Sequence, residues 1–154
     1  MVIVPHFKKT YLDSGVLLDK KGTPIIALSL RYDRIDNFWY TLSHELAHLI
    51  LGHVHTTNGK FIIDDLDLRN SIDENKLEAD KVTQEGLIPN TLWTNHQART
   101  TGKVRDVIDL AYKADIHPAI VAGRIRFENN NYTILNRQVG HKEVRKLFTD
   151  HHCS

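Results

Sequence analysis

The sequence predicts an α+β fold in which a small β-sheet precedes a set of helices. The prediction depends on three observations: short apolar runs fill the first third of the chain, stretches with helical spacing follow, and no repeat or low-complexity tract separates them. A length of 154 residues suits one domain with a core of its own. We therefore expect a single domain over residues 1–154, with a core over about 1–100 and a helical part over about 101–150.

The predicted strands are short and apolar. They cover residues 2–4, 15–18, 24–30 and 61–63, with a further one over 132–135. Residues 19–22, Asp-Lys-Lys-Gly, join the second strand to the third. This composition is typical of a hairpin loop, in which Gly22 takes a positive φ.

Helical spacing predicts helices over residues 38–51, 73–86, 104–113, from Pro118 onward, and 142–148. We expect Asp33 or Asp36 to cap the first helix and Gly52 to end it. Apolar residues at spacings of three and four predict the faces that turn towards the core. In the first helix these are Trp39, Leu42, Leu46 and Ile50; in the third they are Val104, Val107, Ile108, Ala111 and Tyr112.

The numbers of positive and negative residues are nearly equal, so the protein as a whole has no strong electrostatic potential of one sign. The formal net charge is +1, so nothing in it indicates a nucleic-acid or membrane partner. A single cysteine, Cys153, allows no disulfide within the chain, which favours a reducing compartment. The N-terminal residues 1–9 contain no long apolar stretch typical of a secretory signal. We expect a cytoplasmic protein without a membrane span.

The main candidate for a functional site is a five-residue motif. Residues 44–48, His-Glu-Leu-Ala-His, read H-E-x-x-H on the predicted first helix. Their spacing places both imidazoles on one face, one turn apart, where both reach a single Zn²⁺. Glu45 lies about 100° around the helix from His44, within reach of a metal-bound water. The motif predicts His44 and His48 as zinc ligands and Glu45 as the general base of a hydrolase.

A catalytic zinc needs a third protein ligand and an open position. The metzincin pattern is excluded, because Leu51 and Val54 stand where it has glycine and histidine. His55 stays possible, whereas His53 would lie about 180° from His44 on a continued helix. The carboxylate candidates are Glu74 and Glu78 first, then Asp64, Asp65 and Asp80.

Two segments in the middle third of the chain resemble the motifs of one known family. Residues 38–48 read Phe-Trp-Tyr-Thr-Leu-Ser-His-Glu-Leu-Ala-His, and residues 78–89 begin Glu-Ala-Asp and end Leu-Ile-Pro. In this order they resemble the active-site helix and second motif of the ImmA/IrrE family of metallopeptidase-like proteins. Val82, Thr83 and Gly86 depart from the residues usual there. Residues 116–126 and 139–141 resemble a subgroup in which this domain follows a helix-turn-helix antitoxin or repressor domain.

The resemblance implies a gluzincin-type fold: a small twisted sheet, a zincin-like active-site helix and a second, ligand-bearing helix within a catalytic core over about 1–100. It implies Glu78 as the third zinc ligand. It also implies a zinc metallo-endopeptidase that acts on or controls a repressor or antitoxin in toxin–antitoxin, stress-response or transcription regulation. A toxin is a further candidate partner.

Two other functions compete with this one. A non-catalytic zinc-containing sensor or protein-binding module would keep the metal ligands without turnover, and a fourth ligand such as His55 would close its site. Nucleic-acid binding through residues 104–126 would use Arg124 and Arg126. The low net charge favours a packed helical hairpin for that segment, so we expect no direct nucleic-acid binding.

Overall fold

The computed structural model describes residues 1–4, 13–54, 62–63 and 74–148, with 62–63 described by their backbone. Within these ranges the fold is α+β, as predicted. Its elements are β1 (Val2–Val4), β2 (Ser14–Leu18), β3 (Pro24–Ser29), α1 (Ile35–Ile50), β4 (Ile62–Ile63), α2 (Glu74–Leu87), α3 (Asn90–Asn95), α4 (Ala98–Thr101), α5 (Val104–Ala114) and α6 (Pro118–Glu128), followed by two 3₁₀ turns, Asn136–Gln138 and Arg145–Leu147.

The chain divides into two compact units. The first comprises residues 1–32 and 41–83, and the second comprises residues 33–40 and 84–154. Helices α1 and α2 therefore each contribute residues to both units. The predicted organisation as a single domain stays a prediction.

A four-stranded sheet in the order β1-β3-β2-β4 forms the first unit's β layer. β3 pairs parallel with β1 and antiparallel with β2, and β2 pairs antiparallel with β4. The predicted hairpin joins β2 to β3: Gly22 has a φ of +80°, and the Asp19 carboxylate accepts the amides of Lys21 (2.8 Å) and Thr23 (2.7 Å). Ile26, Leu28 and Leu30 alternate as buried side chains, the two-residue period of a strand with one packed face.

Helix α1 ends as its glycine predicts. Gly52 has a φ of +71°, and its amide bonds to the carbonyl of Leu49 at 3.2 Å. The amide of His53 bonds to the carbonyl of His48 at 2.9 Å. These two bonds form a Schellman motif, which closes a helix with a left-handed residue. The chain turns back at Gly52, so His53 does not continue the helix.

The prediction that the apolar stripe of α1 packs into the core is wrong for most of the stripe. Trp39, Leu46 and Ile50 expose 43%, 42% and 77% of their surface. Glu45 and Ala47, by contrast, are 3% and 1% exposed. Spacing defines the faces of a helix, but α1 is apolar on nearly every side, so spacing cannot say which face packs. The face that the fold buries carries the general-base candidate of the motif.

Buried side chains of α3 to α6 and of the residues flanking these helices form the core of the second unit. They are Ile88, Trp93, Ala98, Val107, Leu110, Ala111, Ile120, Val121, Ala122, Ile125 and Val139. Helix α6 starts where Pro118 predicts, and the His117 ring caps it by accepting the amide of Ala119 at 3.1 Å. Helix α5 has nearly its predicted bounds.

Three predictions for the second unit are wrong. Val107 and Ala111 of α5 are buried as predicted, but Val104, Ile108 and Tyr112 are exposed, because the packed face of α5 also includes Leu110 and turns those three residues outward. Residues 132–135 form turns that lead into a 3₁₀ turn and no strand, and residues 142–148 contain a 3₁₀ turn instead of a regular helix.

The two capping candidates of α1 serve other contacts. Asp33 accepts the amides of Val144 (3.1 Å) and Arg145 (2.9 Å), so it anchors the start of the last 3₁₀ turn. Asp36 lies within the first turn of α1 and pairs with Arg34 at 2.9 Å.

Candidate metal centre

The two motif histidines face each other on α1. Their Nε2 atoms lie 3.1 Å apart, and their rings meet edge to face with centroids 4.7 Å apart. Two nitrogens at about 2.0–2.1 Å from one tetrahedral zinc ion lie about 3.3 Å from each other. The observed separation therefore suits two ligands of one ion.

The other ring nitrogens of this pair are held by polar side chains. Nδ1 of His44 lies 2.8 Å from Oδ1 of Asp80, on α2. Nδ1 of His48 lies 3.0 Å from Nδ1 of His53, and Nε2 of His53 lies 3.3 Å from Oε2 of Glu78, also on α2. The contacts form one chain from Asp80 to Glu78, in the order Asp80, His44, His48, His53 and Glu78.

The carboxylates at both ends decide where the imidazole protons lie. A carboxylate accepts hydrogen bonds and donates none, so Asp80 requires the proton of neutral His44 on Nδ1. Glu78 likewise requires a proton on Nε2 of His53, whose Nδ1 then accepts the proton on Nδ1 of His48. The Nε2 atoms of the motif pair face each other at 3.1 Å. A proton shared between them or a metal ion bound by both suits this separation, and a metal ion requires both Nε2 atoms to be unprotonated.

Glu45 occupies the buried side of α1. Its Oε1 accepts a hydrogen bond from the hydroxyl of Ser14, on β2. This contact holds the carboxylate to the sheet and restricts its orientation, as a positioned general base requires.

The candidate third ligand lies at one end of this chain of contacts. Glu78 projects from α2 with 59% of its side chain exposed, and it contacts His53. Within the described part of the chain, no group of three His, Cys, Asp or Glu side chains gathers closely enough to hold an ion. Glu74 is exposed, four residues earlier on α2. His55, Asp64 and Asp65 lie outside the described residues.

Sequence reasoning overlooked Ser14 and misjudged two other partners of the motif. Ser14 is far from the motif in sequence, and no local pattern marks it as a neighbour. Asp80 was among the weaker candidates for a metal ligand, but it contacts Nδ1 of His44 instead. His53 was set aside because a continued helix would turn it away from His44. Gly52 is the signal that corrects this, because a glycine that closes a helix with a Schellman motif also folds back the residue after it.

The two arginines considered for nucleic-acid binding are buried in the second unit. Arg124 is 4% exposed: its guanidinium lies 4.3 Å above the ring of Trp93 and donates to the carbonyl of Ile88 at 3.1 Å. Arg126 is 3% exposed and donates to the carbonyl of Tyr132, and burial lowers its pKa. Both guanidinium groups are therefore engaged inside the second unit, and the expectation of no direct nucleic-acid binding stays a prediction.

No known family model matches the chain, and no curated protein matches its sequence significantly. In the ranges that the structure describes, no helix is both long and apolar enough to cross a bilayer.

Proposed function

We propose that the chain is a zinc-dependent metallopeptidase that acts on, or controls, a repressor or antitoxin-type protein in the cytoplasm. One observation carries the proposal: the Nε2 atoms of His44 and His48 lie 3.1 Å apart, while their Nδ1 atoms contact Asp80 and His53. The resemblance to the ImmA/IrrE family contributes the zincin-like fold, the peptidase activity and the class of partner.

Each residue of the proposed site has its own role in the reaction. His44 and His48 would hold the metal, with Glu78 as the third ligand. A zinc ion held by these residues would supply the acidity of a bound water molecule and the polarisation of a carbonyl group. Glu45, oriented by Ser14, would accept a proton from water and deliver it to the departing amine as the peptide bond breaks.

A non-catalytic zinc-containing sensor or protein-binding module is the second candidate. Two observations favour it: Glu45 is only 3% exposed, and Glu78 contacts His53 from a largely exposed position. In this alternative the metal stabilises a surface that binds the regulator, and Glu45 has a structural role.

Measurements of zinc binding and of peptide cleavage distinguish the two candidate functions. We expect the purified chain to bind one zinc per molecule, His44→Ala to bind none tightly, and Glu78→Gln to bind more weakly than Glu74→Gln. Glu74 and Glu78 lie one turn apart on α2, so Glu74→Gln is the matched control. If Glu74→Gln loses as much zinc affinity as Glu78→Gln, Glu78 has no special role.

Cleavage is tested with a defined mixture of synthetic peptides, read by mass spectrometry, with and without added zinc. We expect the wild type to cut and Glu45→Gln to keep its zinc but lose at least about 100-fold in rate, since a general base contributes about 10²–10⁴-fold. Equal cutting by wild type and Glu45→Gln refutes the peptidase assignment. Zinc binding with no cleavage by either protein supports the non-catalytic module.

A further inference from the structure

His53 connects α1 to α2 beside the motif. It stands just after the glycine that closes α1, and only 10% of its side chain is exposed. Nδ1 contacts the His48 ring at 3.0 Å and Nε2 contacts the Glu78 carboxylate at 3.3 Å. Both polar atoms of this imidazole are thus engaged with residues that the proposed zinc site uses.

We propose that His53 is a positioning residue of the zinc site, which fixes the tautomer and orientation of His48 and ties that ring to Glu78. The inference rests on the proposed function, because it assigns a role towards the same metal. Hydrogen-bonded partners on the far side of a ligating imidazole orient the ring and raise its basicity. Asp80 makes the equivalent contact with His44, but through a carboxylate directly.

The geometry separates this role from that of a direct ligand. The nitrogen of His48 that His53 contacts is Nδ1, whereas the nitrogen that faces His44 is Nε2. These two atoms are separated by Cε1, and their in-plane bonding directions diverge. An ion shared by the two Nε2 atoms is therefore separated from His53 by the ring of His48. His53 acts on the metal through His48 and through Glu78.

Removing His53 takes away its contacts with Nδ1 of His48 and with Oε2 of Glu78. The first change allows His48 to place its proton on either nitrogen, and only one of these tautomers binds metal. The second frees the exposed Glu78 side chain to sample other rotamers. Loss of such supporting partners typically weakens metal affinity about 10–100-fold.

The test measures zinc affinity of the full chain by competition with a chromogenic chelator. His53→Ala is expected to bind zinc about 10–100-fold more weakly than wild type. His53→Gln, which keeps a donor and an acceptor, is expected to recover part of that loss and serves if His53→Ala folds poorly. His141→Ala is the matched control, because His141 is an exposed histidine that contacts Asn136 in the second unit. It should bind zinc like wild type.

Cobalt(II) substitution distinguishes positioning from ligation. In the positioning role, His53→Ala keeps the visible absorption spectrum of the cobalt-loaded wild type, because the ligand set is unchanged. A changed ligand-field spectrum would identify His53 as a direct ligand and overturn the inference. In the double variant with Glu78→Gln, the two losses of affinity should be less than additive, because both residues belong to one chain of contacts. Additive losses would overturn the proposed tie to Glu78.

The outcomes distinguish this inference from the proposed function. Equal zinc affinity in wild type, His53→Ala and His141→Ala overturns the role of His53 and leaves the zinc site standing. Failure of the wild type itself to bind zinc overturns the proposed function, and the inference with it.

Discussion

Gly123 allows helix α6 to approach the first turn of α1 closely. A Cβ atom built on Gly123 would lie 2.7 Å from Cβ and 3.0 Å from Oδ2 of Asp36. Asp36 cannot easily yield, because it is 4% exposed and its carboxylate accepts two hydrogen bonds from Arg34 at 2.9 and 3.3 Å. We predict that Gly123→Ala destabilises the protein.

The magnitude follows from two opposing effects. Ordinary carbon–carbon contacts lie at about 3.5–4.0 Å, so the new methyl group overlaps Asp36 by about 1 Å. Overpacking of this kind lowers the free energy of unfolding by about 1–3 kcal/mol. Alanine in a helix interior raises it by at most about 1 kcal/mol relative to glycine. The net free energy of unfolding should fall by about 1–2 kcal/mol, which lowers the Tm by about 2–8 °C for a chain of this length.

Gly86 provides the matched control. It lies in α2 at a helical φ, and a Cβ there would meet no atom within 4 Å. Gly86→Ala should therefore raise stability, by up to about 1 kcal/mol. Circular dichroism during heating and in urea measures both variants. Opposite signs support the packing argument, whereas an unchanged or raised Tm in Gly123→Ala would refute it.

Two further predictions concern the second unit. Arg124 and Arg99 both contact Glu128, at 3.1 and 3.3 Å, but Arg124 is buried and Arg99 is half-exposed. Arg124→Lys should lower the free energy of unfolding, measured by urea denaturation, by about 2–4 kcal/mol, because an ammonium group cannot replace the hydrogen bonds of the guanidinium. Arg99→Lys should lower it by less than about 0.5 kcal/mol. Equal losses in the two variants would contradict this prediction. The hydroxyl of Thr101, at 2.7 Å, holds the pKa of Asp106 below its usual value. A carboxyl group with a lowered folded pKa stabilises the fold above about pH 4, and this contribution disappears as the pH falls through the folded pKa. Between about pH 5 and 3 the unfolding free energy of Asp106→Asn should therefore fall less than that of wild type, and parallel curves in urea titrations at several pH values would show the reasoning wrong.

The sequence predicted most of what depends on neighbours along the chain. The strands β1 to β3, the hairpin at Gly22, the end of α1 at Gly52 and the start of α6 at Pro118 all follow from local patterns and are confirmed. Each is decided within a few residues by backbone conformation, capping or alternation.

Local patterns failed where the outcome depended on what packs against an element. Spacing placed Ile50 and Tyr112 on inward faces, yet they expose 77% and 86% of their surface. Arg124 and Arg126 could be proposed for phosphate contacts from the sequence, yet the second unit buries both. A helix with apolar residues on several sides can pack on any of them, and the choice depends on partners distant in sequence.

The candidate metal centre shows the same division. The sequence by itself determined that His44 and His48 share a face of one helix with Glu45 beside them, because four residues make about one turn. Only the tertiary structure decided their partners: Ser14 bonds to Glu45 across 31 positions, and His53 meets Glu78 across 25. Hydrogen-bond partners on different elements are brought together by the packing of those elements. The spacing of residues along the chain does not specify that packing.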